Sequence, residues 1–134
     1  MEENSTDNES IKTEVYKPGD FIFFEGDIDF HFYIVQQGEV QIFTKNKNGQ
    51  RVNIATVTEG ESFGEFALLD KQPRSASAQA FTECTLVRVS EEGYNQLLSE
   101  IPGWASSMLK SFSRRLKQMN LKLKESPQFL SNEN

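Results

Sequence analysis

The stretch Phe63-Gly64-Glu65-Phe66-Ala67-Leu68-Leu69-Asp70-Lys71-Gln72-Pro73-Arg74-Ser75-Ala76-Ser77 is the most unusual part of this 134-residue chain. Gly64 lets the backbone come close to a ligand. Residues 65–69 read as one or two helical turns directly after it, and a helix start offers N–H groups and a positive dipole end that suit an anion. Pro73 fixes a turn and delivers Arg74, a permanent cation whose forked guanidinium matches phosphate oxygens. Ser75 and Ala76 are small and leave room beside that arginine. Glu65 is an acceptor for a sugar hydroxyl. These are the parts of a small ribose-phosphate site. The plain alternative is a surface turn with an incidental Glu65–Arg74 ion pair. No Gly-Lys-Ser/Thr follows, as a P-loop requires, and no G-x-G-x-x-G precedes a helix.

On both sides of this stretch lie short strand-like runs: 21–24, 32–35, 40–43, 52–57 and 85–89. Several alternate apolar and polar residues, as half-buried strands do. Asn46-Lys47-Asn48-Gly49 reads as a hairpin turn. Many short strands at close spacing imply a closed or two-sheet β structure. From Ser90 the period becomes helical. Ser90 is placed to cap a helix whose first turn holds Glu91 and Glu92. Tyr94, Leu97, Leu98 and Ile101 follow at helical spacing. Pro102-Gly103 then starts a second helix, in which Leu109, Phe112, Leu116, Met119 and Leu123 form a heptad seam of about two repeats. That seam packs either on a partner helix or on the chain's own β body.

Length and composition fit one folded domain. The net charge is −6, with 37% hydrophobic residues and 11 phenylalanines to build a core. The charge is uneven. Residues 1–100 hold 8 basic and 18 acidic side chains, net −10, whereas residues 101–134 hold 6 and 2, net +4. An overall basic nucleic-acid binder of the simplest kind is excluded. One histidine and one cysteine exclude a multi-histidine metal site, a cysteine zinc site and an internal disulfide. His31 and Cys84 read as structural. No apolar run approaches the length of a membrane span, and the polar, acidic start is no signal peptide, so a cytoplasmic protein is expected. Residues 1–12 are expected to be a disordered acidic N-terminus, 13–125 the folded domain with its C-terminal helices, and 126–134 a flexible tail. Only about ten residues follow Lys124, too few for a helix-turn-helix, so no DNA-binding domain is expected.

Phe63, Gly64, Glu65, Ala67, Leu68, Pro73, Arg74 and Ala76 together resemble the F-G-E-x-A-L…P-R-x-A phosphate-binding cassette of the cyclic-nucleotide-binding domain family. Tyr16-Lys17-Pro18-Gly19-Asp20-Phe21-Ile22-Phe23, Glu25-Gly26-Asp27 and Tyr33-Ile34-Val35-Gln36-Gln37-Gly38-Glu39-Val40 resemble that family's strand and turn signatures. The likeness runs from about Val15 to Leu123. It implies a mainly β fold with flanking helices: an eight-stranded, jelly-roll-like β-roll followed by C-terminal helices. It also implies a ligand site at Phe63, Gly64, Glu65, Phe66, Ala67, Pro73, Arg74, Ser75 and Ala76. Arg74 would pair with the phosphate, Glu65 would accept from the ribose 2′-OH, and the N–H groups of Gly64, Ala67 and Ser75 would complete the contacts. Two departures stand out. Phe30 occupies the position, three before Tyr33, where the family usually has an acidic residue. The polar residues 1–12 do not read as the family's helix before the first strand.

The resemblance implies a non-enzymatic, stand-alone sensor without metal or cofactor. Its ligand would be cAMP, with cGMP possible because Ser75 suits either. Arg114, Arg115, Gln118 and Asn120 are candidates to cap the base. Binding would act allosterically through the helices after Ser90 on an effector protein in trans, with a homodimer formed through the helix 104–124. The alternative is a dimerising β-roll interaction module that binds no nucleotide.

Overall fold

The computed structural model describes residues 10–125, with side chains through Met119. Eight strands and three helices follow in chain order: β1 (Ile11–Tyr16), β2 (Phe21–Phe23), β3 (Phe32–Gln37), β4 (Val40–Lys45), β5 (Arg51–Val57), β6 (Ser62–Phe63), α1 (Glu65–Asp70), β7 (Ser77–Ala80), β8 (Cys84–Val89), α2 (Glu91–Glu100) and α3 (Gly103–Glu125). The strands form two antiparallel four-stranded sheets, ordered β1-β8-β3-β6 and β2-β7-β4-β5. This is the β-roll with C-terminal helices that the resemblance implies. The five runs read from sequence are β2, β3, β4, β5 and β8.

The core lies between the sheets. Phe23, Tyr33, Val35, Val40, Val57, Phe63, Ala78, Ala80, Cys84 and Leu86 form one buried cluster. Tyr33 and Phe63 stack with ring centroids 5.2 Å apart, and Phe23 tilts against both at 6.0 Å. These three rings come from β3, β6 and β2, so they join the two sheets at one end of the roll. Burying a large apolar side chain contributes about 1.5–3 kcal/mol. The rings therefore carry much of the stability beneath residues 63–77.

The expected disordered start is too long by at least two residues. Ile11 and Lys12 already belong to β1, which pairs with β8 from Ile11↔Val89 to Tyr16↔Cys84. Glu14 on β1 explains this. It pairs with Arg88 of β8 at 3.3 Å and accepts a 2.6 Å hydrogen bond from the Tyr16 hydroxyl. Burial, with Glu14 beside it, pushes the Tyr16 phenol well up. Residues 1–9 and 126–134, and so the expected tail, lie outside the described residues.

The 46–49 hairpin forms as read. Gly49 N–H donates to Asn46 O at 2.9 Å, and the Asn46 Oδ1 accepts from the N–H groups of Asn48 and Gln50. Gly38, with φ 99°, makes the β3–β4 turn so close to β8 that a Cβ there would strike the Glu83 and Cys84 backbone. Ser90 caps α2 as expected, its hydroxyl accepting from Gly93 N–H at 3.0 Å.

The chain divides into two compact units, Met1–Asn95 and Gln96–Asn134. In the second, Ser106 Oγ donates to Leu98 O at 2.8 Å across the Pro102 joint. Of the heptad seam, Phe112, Leu116 and Met119 are exposed, as are Trp104 and Met108. Leu109 is half-buried, and the Leu123 side chain lies outside the described residues. No helix among the described residues is long and apolar enough to cross a membrane.

Candidate functional site

Residues 63–77 fold as the sequence reading requires. Phe63 ends β6 inside the core. Gly64 turns the chain with φ 83° and caps α1 at its start. Two constraints demand glycine here: the left-handed backbone and the Arg74 guanidinium, which would lie 2.8 Å from any Cβ. Ala67 and Leu68 are the buried face of α1. The helix stops at Lys71, a non-glycine residue in the left-handed region at φ 57°, whose N–H returns to Ala67 O at 3.0 Å.

Arg74 is the pivot. Its side chain is 2% exposed. A buried guanidinium is tolerated only when its charge is matched and its N–H groups are bonded. Nη1 donates to Gly64 O at 3.0 Å, and Nη2 donates to His31 O at 2.6 Å. Nη2 also lies 3.0 Å from Asp29 Oδ2. The guanidinium carbon sits 3.9 Å from the centre of the Phe23 ring, a cation–π contact that desolvation strengthens. Nε is buried with no hydrogen-bond partner. The main chain of Arg74 is held as firmly: its N–H donates to Asp27 O and its O accepts from Gly26 N–H, both at 2.8 Å. The loop between β2 and β3 thus grips Arg74 by backbone and side chain at once.

That loop contains a site residue the sequence reading missed. Phe30 sits where an acidic residue was expected, and it carries Lys71 Nζ 5.3 Å above its ring. The carboxylate at Arg74 comes from its neighbour, Asp29. Asp29 Oδ1 also accepts from the His31 backbone N–H at 3.1 Å and lies 2.7 Å from His31 Nδ1. Burial alone would raise the Asp29 carboxyl. The bonds from His31 and Arg74 outweigh it and hold Asp29 below the usual carboxylate range. Burial pushes the nearby Tyr33 phenol up, with the Asp29 charge adding to it. A signal for Asp29 existed in the spacing Asp27-x-Asp29-x-His31, which a one-residue offset from the family pattern obscured.

The remaining predicted positions spread around this pivot. Glu65 is half-buried and accepts from Ser62 Oγ at 2.6 Å, so its carboxylate is oriented by a hydroxyl and not spent on Arg74. The alternative of a surface turn with a Glu65–Arg74 pair therefore fails on both counts: Arg74 is buried, and its carboxylate is Asp29. Phe66, Pro73 and Ser75 are exposed, Ala76 is half-buried, and Ala67 is buried. Lys71 also pairs with Glu91 in the first turn of α2. Arg114, Arg115 and Gln118 are exposed on α3, and the Asn120 side chain lies outside the described residues. Among the described residues no group of three His, Cys, Asp or Glu side chains is placed to hold a metal ion.

The chain is similar to known proteins in sequence and fold. The family model described as a cyclic nucleotide-binding domain matches residues 13–100. The cyclic AMP receptor protein of Thermus thermophilus is 36% identical over 113 residues, which are 84% of this chain and 52% of that protein. The human potassium/sodium hyperpolarization-activated cyclic nucleotide-gated channel 2 is 37% identical over 92 residues, 69% of this chain and 10% of the channel. Among solved structures, the EAL enzyme Bd1971 in a half-site-occupied form superposes with a TM-score of 0.74 at 29% identity, covering 81% of this chain and 97% of that one. The chain thus spans about half the length of the bacterial receptor and a tenth of the channel.

The Asp29–Arg74 pair predicts a pH signature. A carboxyl depressed in the folded state adds stability above its unfolded value, about 3.9 for aspartate, and that stability is lost as pH falls through the folded value. Asp29→Asn should therefore cost about 1–3 kcal/mol at pH 7 by leaving a buried cation without its counter-charge. The gap to wild type should close below about pH 4, as the wild type loses the same interaction. Urea unfolding at stepped pH measures this, and a gap unchanged by pH would refute it.

Proposed function

Because the chain belongs to the cyclic nucleotide-binding domain family, we propose that residues 63–76 bind a cyclic nucleotide, cAMP in preference to cGMP. The observation that carries this reading is Arg74: a buried guanidinium, oriented by Gly64, Asp29 and His31, with one N–H left unpartnered. A cyclic phosphate that bonds Nε satisfies a donor whose isolation costs free energy. At Nη1 and Nη2 an anionic oxygen in place of a neutral carbonyl adds ion-pair attraction to a bond whose donor is already charged. Glu65, held by Ser62, is the acceptor for the ribose 2′-OH. The N–H groups of Gly64, Ala67 and Ser75 add contacts, and Phe63, Phe66, Pro73 and Ala76 shape the walls. The preference for cAMP rests on the similarity to the Thermus receptor, since Ser75 is compatible with both bases.

The role we infer is regulatory and not catalytic: a cytoplasmic module that passes ligand occupancy to an effector in trans. The Lys71–Glu91 pair supports this, because it joins the end of α1 to the first turn of α2. Such an exposed pair adds little stability, but it ties the first turn of α2 to the end of α1. A ligand shifts that equilibrium only by its differential affinity for the two states. The exposed stripe of Trp104, Met108, Phe112, Leu116 and Met119 supports a homodimer through 104–124, since a helix with an uncovered apolar stripe gains from a second copy.

Three measurements test this reading. Calorimetric titration should show cAMP binding more tightly than cGMP and far more tightly than linear 5′-AMP. Arg74→Ala should lose about 100-fold or more in affinity, with a thermal melt confirming that it still folds. No binding by the wild type overturns the reading, and equal binding by the variant overturns the site. Saturating cAMP should change amide exchange in residues 90–124, and unaltered exchange would remove the allosteric role. Light scattering at high micromolar concentration should give twice the chain mass, reverting to the monomer in Leu116→Glu; a monomeric wild type rejects the dimer.

A further inference from the structure

Arg74 does not meet its counter-charge in isolation. Asp29 lies between two basic groups, with Oδ2 on Arg74 Nη2 at 3.0 Å and Oδ1 on His31 Nδ1 at 2.7 Å. A carboxylate only accepts, so Nδ1 carries the proton in that contact and Nε2 is the nitrogen free to take up another. The His31 side chain is 35% exposed, so it can exchange protons with water. The same residue ties the relay to the backbone, because its N–H donates to Asp29 and its O accepts from Arg74. Nothing in the turn requires an imidazole for those two main-chain bonds.

On the reading of residues 63–76 as a cyclic-nucleotide site, we propose that His31 is a positioning residue for it: acting through Asp29, its protonation loosens the hold on Arg74 and strengthens nucleotide binding. Histidine is the side chain whose charge changes between pH 5 and 8. With a neutral ring, the Arg74–Asp29–His31 cluster sums to zero charge. With a protonated ring it sums to +1. The second proton also strengthens the claim of His31 on Asp29, which shifts the carboxylate away from Arg74 and leaves more of the guanidinium for a phosphate. The cyclic phosphodiester stays monoanionic over this range, and the depressed Asp29 stays ionised.

The surrounding charges do not replace this mechanism. Asp29 faces the imidazole from its own loop, and Arg74, from the cassette, meets the His31 carbonyl and the other oxygen of Asp29. Lys71, at the end of α1, lies over the adjacent Phe30 ring and is neutralised by Glu91 of α2. The Tyr33 phenol of β3, which feels both Asp29 and Arg74, is held protonated.

Linkage makes the proposal measurable. If protonation favours binding, binding favours protonation by the same factor, and one site changes affinity at most tenfold per pH unit. Titrating the full chain with cAMP between pH 8 and pH 5.5 should show affinity rising about three- to tenfold. Calorimetry in buffers of different ionisation enthalpy should show uptake of a fraction of a proton. His31→Asn, which keeps the backbone bonds, should abolish the pH slope and the proton uptake, whatever its affinity at pH 8. His31 is the only histidine, so its ring signal in an NMR titration is unambiguous, and its midpoint should move up when cAMP is added. Equal pH slopes in wild type and variant, or a histidine midpoint that nucleotide leaves in place, overturn the proposal. No cAMP binding by the wild type at any pH overturns the nucleotide reading and this inference with it.

Discussion

A guanidinium with 2% of its side chain exposed sets the terms for the rest of this structure. Removing such an ion from water costs several kcal/mol unless charge and hydrogen bonds are restored. The chain restores them from three segments, two of them about 40 to 50 residues before Arg74 and one ten residues before it. Phe23 in β2 supplies a ring face, Asp29 and His31 before β3 supply a carboxylate and a carbonyl, and Gly64 before α1 supplies a second carbonyl. Those segments must be brought together for Arg74 to be buried, so it fixes their relative positions as much as it depends on them. Phe23 takes part twice, since its ring also packs on Tyr33 and Phe63. The hydrophobic centre and the polar site therefore share a wall.

The surrounding residue choices follow from that pivot. The turn before Asp27 is closed by its own carboxylate, which accepts from Phe24 N–H at 2.9 Å, and this sets Gly26 and Asp27 to bond the Arg74 backbone. Just after Arg74 the chain enters β7, which lies between β2 and β4. Its residues Ser77, Ala78, Gln79 and Ala80 are small or point outward, and the Ser77 hydroxyl accepts from Glu25 N–H at 2.8 Å. A bulky strand there would push β2, and with it Phe23, away from the guanidinium. The run of small residues after the arginine is thus a packing requirement.

This explains which parts were legible in the sequence. The five strands with β-branched or aromatic residues at alternate positions stood out because half-burial selects those residues. β7 did not, since a strand of Ser and Ala has no propensity signal; pairing on both edges makes it a strand. β6 is two residues long and exists only as the partner of Tyr33 and Ile34. β1 was hidden by its polar composition, because its hold on β8 comes from Glu14 and Arg88 as much as from apolar contact. At the site, the cassette residues were legible because their types and order are set by local chemistry. Asp29 was not, because its role is defined by a contact with Arg74 45 positions away. A pattern tied to sequence offset misses a carboxylate displaced by one residue, whereas the loop can rotate that residue onto the same guanidinium. The helix stripe could be read, but whether it was covered could not, since exposure belongs to the folded chain.

The local nature of the site also resolves an apparent conflict in charge. The first 100 residues carry a net charge of −10, which is unfavourable for an anion at long range. Exposed charges are screened over about 8–10 Å at physiological salt, so most of those carboxylates contribute little at Arg74. The groups that are not screened are the ones in contact with it. Asp29 cancels the arginine's charge, and the backbone N–H groups at the start of α1 add a partial positive charge. The field at the cassette is therefore set by a few buried or half-buried groups. A proton added within that cluster acts on an anion at contact range, whereas the distant carboxylates act on it only through screening water.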